Sequence, residues 1–404
     1  MKVVQINAVY NVKSTGVIVS NINNLLRAAN HKSYVVHPDT GEQPSADEII
    51  IGSRIDRLVH AIFTRLTGMQ GFASYLATQR VIAKLKKISP DIVHLHNVHS
   101  NYLNLSLLLN YTSRYGIPVV LTLHDCWFFT GKCNHFLDVD CDKWMTKCDN
   151  CPKKKKEIPN YFFDTSRYIF EKKKKLYHAN RLYVVGCSKW IAECARNSPL
   201  FDEAQVLQIY NGIDTDVFRP NHGSVRKEYG LADKFVIVTM ADKWYLPQNA
   251  SARLATLKAL GKDGKLLLVG CNEIQLQEKD DPAIIKLGYQ NDKTRLARIY
   301  AAGDLFLNLT LADTLPTVTM EALACDTPVV TYSSGGSAEL VSDSVTGYVI
   351  NTGDIKALQN SIYRIKNGEI QREVCRNYAV NCFNNQNNFT EYLELYQKIY
   401  DCSV

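Results

Sequence analysis

Residues 305–332 read LFLNLTLADTLPTVTMEALACDTPVVTY. Leu305 to Leu309 form a short apolar run, and Pro328 to Tyr332 form a second one rich in β-branched residues. Between them Asp313 stands in a loop, Pro316 offers a fixed φ suited to opening a helix, and the residues through Ala324 favour a helix. Strand, helix and second strand in this order predict a right-handed βαβ unit in a parallel sheet. The first turn of such a helix presents free backbone N–H groups and the positive end of the helix dipole, which suits a diphosphate. Glu321 falls one to two turns into the helix, where its carboxylate can accept hydrogen bonds from a ribose diol. Taken alone, a single helical Glu is ordinarily a surface carboxylate.

The alternation extends in both directions. Toward the N-terminus, residues 3–6, 33–36, 91–96, 118–123 and 182–185 are apolar strand-like runs. Helical patterns over 17–29 and 81–88 lie between them. After Arg219-Pro220 the pattern restarts with Phe235 to Met240 and Leu266 to Gly270. The fold predicted is α/β: two doubly wound Rossmann-like domains facing an interdomain cleft, with ligands at the carboxyl ends of the strands. We assign residues 1–215 to a first domain with a Cys-rich insertion at 126–152, and 216–380 to a second. A terminal segment, 381–404, holds a helix over Glu391 to Tyr400 after the Asn-rich stretch 384–388 and is expected to pack back on the first domain.

Composition narrows the class. The 404 residues are 46% hydrophobic and 22% charged, as in a globular protein and unlike a disordered one. No apolar run reaches the roughly 18 residues of a membrane span, and Met1-Lys2-Val3-Val4 passes directly into a strand pattern with no secretory leader. A cytoplasmic protein is expected. The formal charge is +7, and Lys153 to Lys156 and Lys172 to Lys175 form two blocks. They read either as solvated faces or as a surface for anions. No nucleic-acid-binding motif accompanies them, so nucleic acid is not an expected partner.

Asp313, seven residues, Glu321-Ala322-Leu323-Ala324 and Thr327-Pro328-Val329-Val330 together resemble the signature of the retaining glycosyltransferases of family 4. Further segments follow in the same order: Lys13-Ser14-Thr15-Gly16, His124-Asp125, Gly186-Cys187-Ser188, Asn211-Gly212-Ile213-Asp214, and Ser333 to Leu340. The resemblance implies the GT-B fold and transfer of a sugar from a UDP- or GDP-sugar to a glycan or lipid-linked acceptor in surface-polysaccharide synthesis. It implies that Glu321 holds the donor ribose, and that Asp313 and His124 face the transferred sugar. Gly16, Leu315, Thr317 and Gly335 would then border the donor. The family commonly has Glu where Asp313 stands, and carries an Arg and a Lys-Gly pair in the first loop of the second domain. Here Lys243 stands near the Arg position, and Asn249-Ala250 replace the pair. One charge-assisted contact to the diphosphate is thereby lost, which leaves two other readings open: a degenerate nucleotide-sugar-binding protein, or a nucleotide-sugar epimerase. No catalytic metal is implied. His96, close to His124 in the strand pattern, is a candidate for the acceptor side.

Five cysteines lie between Asp125 and Pro152. Cys148-Asp149-Asn150-Cys151 has a spacing that suits tetrahedral zinc, and Cys133 and Cys141 would complete four thiolates in a structural site. Four unrelated thiols are the plain alternative. The insertion runs on into the first lysine block and Tyr161-Phe162-Phe163. Cations beside aromatics favour the inner face of a membrane and a lipid-diphosphate-linked acceptor.

Overall fold

The computed structural model describes residues 1–39, 43–158, 161–221, 223–278 and 281–402. The chain divides into two compact units, Met1–Asn211 with Gln386–Val404, and Gly212–Asn385. The last two residues of the terminal segment lie outside the described residues.

In the first unit the strands are β1 (Lys2–Ile6), β2 (Lys32–His37), β3 (Glu48–Ile50), β4 (Ile92–Leu95), β5 (Val119–Leu123), β6 (Leu182–Gly186) and β7 (Gln205–Gln208). They form one parallel sheet in the order β3-β2-β1-β4-β5-β6-β7. The central strands are apolar on both faces, with Val3, Val4, Ile6, Val93, Leu95 and Val120 fully buried. That is what a sheet covered by helices on each side requires. The strand order reverses between β1 and β4, so crossovers leave on opposite faces and open a crevice at the carboxyl edge.

The second unit repeats the plan with β8 (Val236–Met240), β9 (Lys265–Cys271), β10 (Ile284–Gly288), β11 (Leu305–Asn308), β12 (Val329–Tyr332) and β13 (Gly347–Ile350). The order is β10-β9-β8-β11-β12-β13, all parallel, with its reversal between β8 and β11. Both sheets are the doubly wound arrangement that the alternation predicts. Strands β3, β7 and β10 and the helix Arg54–Thr67 lie outside the sequence reading. Each of the three strands carries exposed or half-buried residues, so its apolar pattern is weak.

The terminal helix runs Asn385–Asp401 and begins six residues before the predicted start. The Asn-rich stretch is helical because its amides are tied down: Asn385 N donates to Ile213 O at 3.0 Å and Asn388 Nδ2 to Asn211 O at 3.3 Å. Phe389, Tyr392, Leu395, Tyr396 and Ile399 enter the first unit's core beside Val3, Ile18, Ile22, Ile92 and Val120.

The lysine blocks are not uniformly solvated. Lys173 is 0% exposed and Lys153 2%. On the helix Ser166–His178, Lys173 shares the inward face with Ile169, Phe170, Leu176 and Tyr177. Its ammonium donates to Trp127 O and, at 3.0 Å, to Thr130 O, and it lies 3.5 Å from the Trp127 ring centre. Lys153 is held by Asp138, Glu157 and the His135 carbonyl. Both are structural pins of the Cys-rich insertion.

Candidate active site

In the second unit a cleft of about 360 Å³ opens at the carboxyl ends of β8, β9 and β11, the reversal point of the sheet. Met240, Gly270 and Asn308 come from the strand ends, and Tyr289 follows β10. Asp242 and Lys243 come from the first loop, and Asp313, Pro316, Thr317 and Val318 from the loop and start of the helix Thr317–Ala324. The volume falls within the range of nucleotide-sized sites. Pro316 precedes the helix with φ −69°, and no side chain caps it. Thr319 N donates back to Pro316 O at 3.1 Å, so in the first turn it is Thr317 and Val318, both on the cleft wall, whose N–H groups can meet a ligand. Asn308 Nδ2 donates to Thr319 Oγ1 at 3.1 Å and fixes this helix end to the strand.

Asp313 holds its own loop: Oδ1 accepts from Leu315 N at 3.1 Å, and its carbonyl accepts from Gly336 N at 3.0 Å. Gly335 has φ +56°, and a Cβ there would stand 2.1 Å from Asp313 O. Gly335 thus borders the Asp313 loop rather than the cleft, and only glycine permits the contact. Leu315 is buried at 4% exposure beneath the loop. Lys243 Nζ, on the cleft wall, lies 3.1 Å from Asp242 Oδ2, so this cation has a carboxylate beside it. Asn249 donates through Nδ2 to Lys243 O and Leu309 O, both at 2.9 Å. It braces the loop that carries Lys243, and its amide supplies no charge.

Glu321 lies one turn deeper. Its Oε2 accepts from Tyr300 OH at 3.1 Å. Burial raises its pKa to about 7, against smaller opposing effects of the Tyr300 bond and the Lys293 charge. Glu321 is not among the residues that line the cleft; it follows Thr317, which does, by one helical turn. Tyr300 lies 21 residues away on another helix and carries no sequence signal for this pairing.

In the first unit, His96 and His124 follow the adjacent parallel strands β4 and β5, so both emerge at the carboxyl edge. A hydrogen-bond chain sets their protons. Gln5 Nε2 donates to Val19 O at 3.3 Å, leaving Gln5 Oε1 to accept from His96 Nε2 at 3.3 Å. His96 Nδ1 is then the acceptor, and His124 Nε2 donates to it at 3.0 Å. His124 therefore carries its proton on Nε2, and Nδ1 keeps a lone pair. Burial lowers the pKa of His124 to about 4 and pushes that of His96 well below its usual value, so both are neutral at pH 7. His96 is 0% exposed. It cannot line an acceptor surface and instead orients His124. Behind it His94 bonds Tyr396 OH at 2.6 Å and Thr122 Oγ1 at 2.7 Å. Asp125 accepts from His99 Nε2 at 2.7 Å and from Trp127 N at 2.9 Å.

Gly16 is buried near the start of the helix Lys13–Ala28. A Cβ at this position would come within 3.2–3.3 Å of the Tyr10 and Asn11 backbone. Its small size lets the β1 loop fold over the helix start, where Lys13 and Ser14 are exposed.

Cys133, Cys141, Cys148 and Cys151 line one cavity of about 20 Å³ with Trp144 and Phe136. Among the described residues no group of three or more His, Cys, Asp or Glu is arranged to hold a metal ion, while the four thiols read as zinc ligands share this one cavity. Burial pushes the Cys133 and Cys148 thiols up to about 12, and Cys148 Sγ accepts from Gly131 N. The insertion is held by Lys153, Lys173 and an aromatic cluster of Phe129, Phe136 and Trp144.

Comparison with known proteins gives the family and the fold. Residues 15–217 match the family described as Glycosyltransferase Family 4, and residues 244–367 match Glycosyl transferases group 1. A putative colanic acid biosynthesis glycosyl transferase, WcaC of Escherichia coli K12, is 25% identical over 303 residues, covering 72% of this chain and 71% of that protein. An E. coli UDP-Gal:alpha-D-GlcNAc-diphosphoundecaprenol alpha-1,3-galactosyltransferase is 26% identical over 202 residues, covering 45% of this chain and 51% of that one. Among solved structures, sucrose-phosphate synthase from Thermosynechococcus elongatus superposes with a TM-score of 0.71 at 17% identity, covering 99% of both chains. Anabaena HepE in complex with UDP and glucose gives 0.64 at 15% identity over 98% of this chain and 100% of that one. The chain belongs to glycosyltransferase family 4 and is a glycosyltransferase of the GT-B fold.

Proposed function

We propose that the protein transfers a hexosyl group, with retention of anomeric configuration, from a UDP- or GDP-sugar to a lipid-diphosphate-linked glycan in surface-polysaccharide synthesis. The observation that carries this reading is the second-unit cleft, in which Asp313, Thr317 and Lys243 share one wall system with Glu321 one turn behind. The N–H groups at the start of the helix Thr317–Ala324 and the Lys243 ammonium take the diphosphate. Glu321 accepts from the ribose hydroxyls, and Tyr289, 75% exposed at the cleft, offers a ring to the base. Asp313 contacts sugar hydroxyls, as the family resemblance implies. Gly335 and Leu315 hold the Asp313 loop. No metal takes part: the leaving diphosphate is stabilised by the helix start and the one cation. We take the lipid-linked acceptor from the galactosyltransferase relative, and with it a reaction at the cytoplasmic face of a membrane. No helix among the described residues is long and apolar enough to cross a membrane.

The test is turnover with a panel of UDP- and GDP-hexoses and a synthetic lipid-diphosphate glycan, followed by mass spectrometry and NMR of the new linkage. An α product from an α donor is expected. Donor binding without transfer to any acceptor supports instead the nucleotide-sugar-binding reading, which the uncharged Asn249 motivates. An epimer formed without acceptor supports the epimerase.

A further inference from the structure

The helix Arg54–Thr67 is mounted with its apolar stripe facing outward. Ile55, Leu58, Val59, Ile62 and Leu66 recur at helical spacing on one face and are 73, 60, 60, 49 and 46% exposed. The inner face is polar. His60 is fully buried, with Nδ1 2.7 Å from Ser74 Oγ and Nε2 accepting from Gly71 N at 3.2 Å. Thr64 Oγ1 donates to Asn101 Oδ1 at 2.9 Å. A capping box from Ser53 and Asp56 and a left-handed Gly68 fix the two ends. Rolling the helix to hide its aliphatic side chains would break each of these bonds, so the exposed stripe is built into the fold.

The apolar surface does not end with the helix. Tyr161 N donates to Arg65 O at 3.1 Å and Thr165 Oγ1 to Thr67 O at 2.8 Å. These bonds fasten Tyr161, Phe162 and Phe163, exposed by 60, 64 and 64%, to the helix end. Tyr75 and Leu76, 54 and 63% exposed, follow Ser74 at the other side of His60. The border is cationic. Helical geometry puts Arg54 and Arg65 along one edge of the stripe, Arg80 lies beside Asp56, and Lys154 Nζ lies 3.4 Å from Phe162 O. The carboxylates nearby are committed: Asp56 to the Ser53 cap, Asp164 to Cys151 N and Ser166 N.

We propose that this face docks on an anionic lipid bilayer, with the aliphatic stripe and Phe162-Phe163 at the acyl–headgroup boundary and the arginines and lysines on lipid phosphates. A second copy of the chain is the poorer occupant, because two-fold pairing would bring matching rows of cations together. The inference deepens the lipid-acceptor reading, but docking itself requires no transfer, so the two can fail separately.

The experiment is vesicle co-sedimentation of the full chain with phosphatidylglycerol-containing and pure phosphatidylcholine vesicles, alongside thermal melts and UDP-sugar titration. The protein is expected to bind phosphatidylglycerol vesicles at least about tenfold more tightly than neutral ones. Leu58→Glu with Ile62→Glu is expected to lose at least about tenfold of that binding with melting temperature and donor affinity unchanged. Arg54→Glu with Arg65→Glu should remove the lipid-charge preference. Equal sedimentation of wild type and the Leu58/Ile62 variant overturns the proposal. So does absence of wild-type binding, or a wild-type dimer that the variant converts to monomer while vesicles stay unbound.

Discussion

Replacing Glu321 by Gln tests the donor site and the cost of building it in one experiment. Burial raises this carboxyl from 4.5 to about 7. The folded protein therefore binds more protons than the unfolded chain between those values. The stability associated with the neutral form is complete below about pH 4.5 and is lost as pH rises through about 7. At 1.36 kcal/mol per tenfold change in proton affinity, the ionised group costs the fold about 3 kcal/mol at pH 8 and about 1 kcal/mol at pH 5. Gln keeps an acceptor for Tyr300 OH and removes the charge, so the variant should be the more stable protein by those amounts in urea denaturation. Donor binding should move the other way. The ionised fraction in the empty site is about 0.1 at pH 6 and about 0.9 at pH 8, so wild-type affinity for a UDP-sugar should rise about tenfold across that range. The diphosphate diester keeps its charge throughout, so the change belongs to the protein. The Gln variant should bind with no such pH dependence and more weakly at pH 8 by about 1.5–3 kcal/mol, the worth of hydrogen bonds to a charged acceptor. Calorimetric titration at both pH values measures it. A Gln variant no more stable than wild type at pH 8, together with a wild-type affinity flat from pH 6 to 8, would refute the assignment of Glu321 to the ribose.

Gly335→Ala should lower stability by at least about 1–3 kcal/mol and weaken donor binding, because the methyl would strike the Asp313 carbonyl at 2.1 Å in a left-handed backbone; differential scanning fluorimetry and donor titration report both. Lys173→Ala should cost about 3 kcal/mol or more by leaving the Trp127 and Thr130 carbonyls without their donor and opening a cavity; urea midpoints measure it. Burial lowers the Lys173 pKa to about 7, so the folded state holds fewer protons than the unfolded chain from there to about 10.5, and wild type should gain stability relative to Lys173→Met as pH rises from 7 to 10. Gln5→Leu should free His96 to carry its proton on either nitrogen, seen as mixed tautomers of His96 and His124 in ¹⁵N NMR, with a loss of about 1–3 kcal/mol from the buried ring left short of a partner.

Asn249 shows how one substitution can be read in two ways. From the sequence it is a missing cation. In the structure it is a buried bracket between Lys243 O and Leu309 O, 1% exposed. A lysine there could not make both bonds as an amide does without placing a charge in the same buried space. Lys243 remains the cation that the cleft presents.

Much of the fold was legible because its signals are local. Fully buried strands such as β5 and β12 announce themselves as apolar, β-branched runs, and Pro316 marks the helix start of the donor motif. The weakly patterned β3, β7 and β10 gave no such signal, since their residues are only half covered. Lys173 was legible in principle: its spacing from Ile169, Phe170, Leu176 and Tyr177 places it on an apolar face, but a run of four lysines reads first as solvated.

By itself, the sequence determined two parallel α/β sheets and an acidic loop opening a helix after β11, because periodicity and turn chemistry act over a few residues. Only the tertiary structure decided which groups meet across long separations. It placed Tyr300 on Glu321, set Tyr396 on His94 across 302 positions, buried His96 behind His124, and turned the Arg54–Thr67 helix with its aliphatic side chains outward. Burial and partnership depend on what the rest of the chain packs against each residue, and no local pattern carries that information.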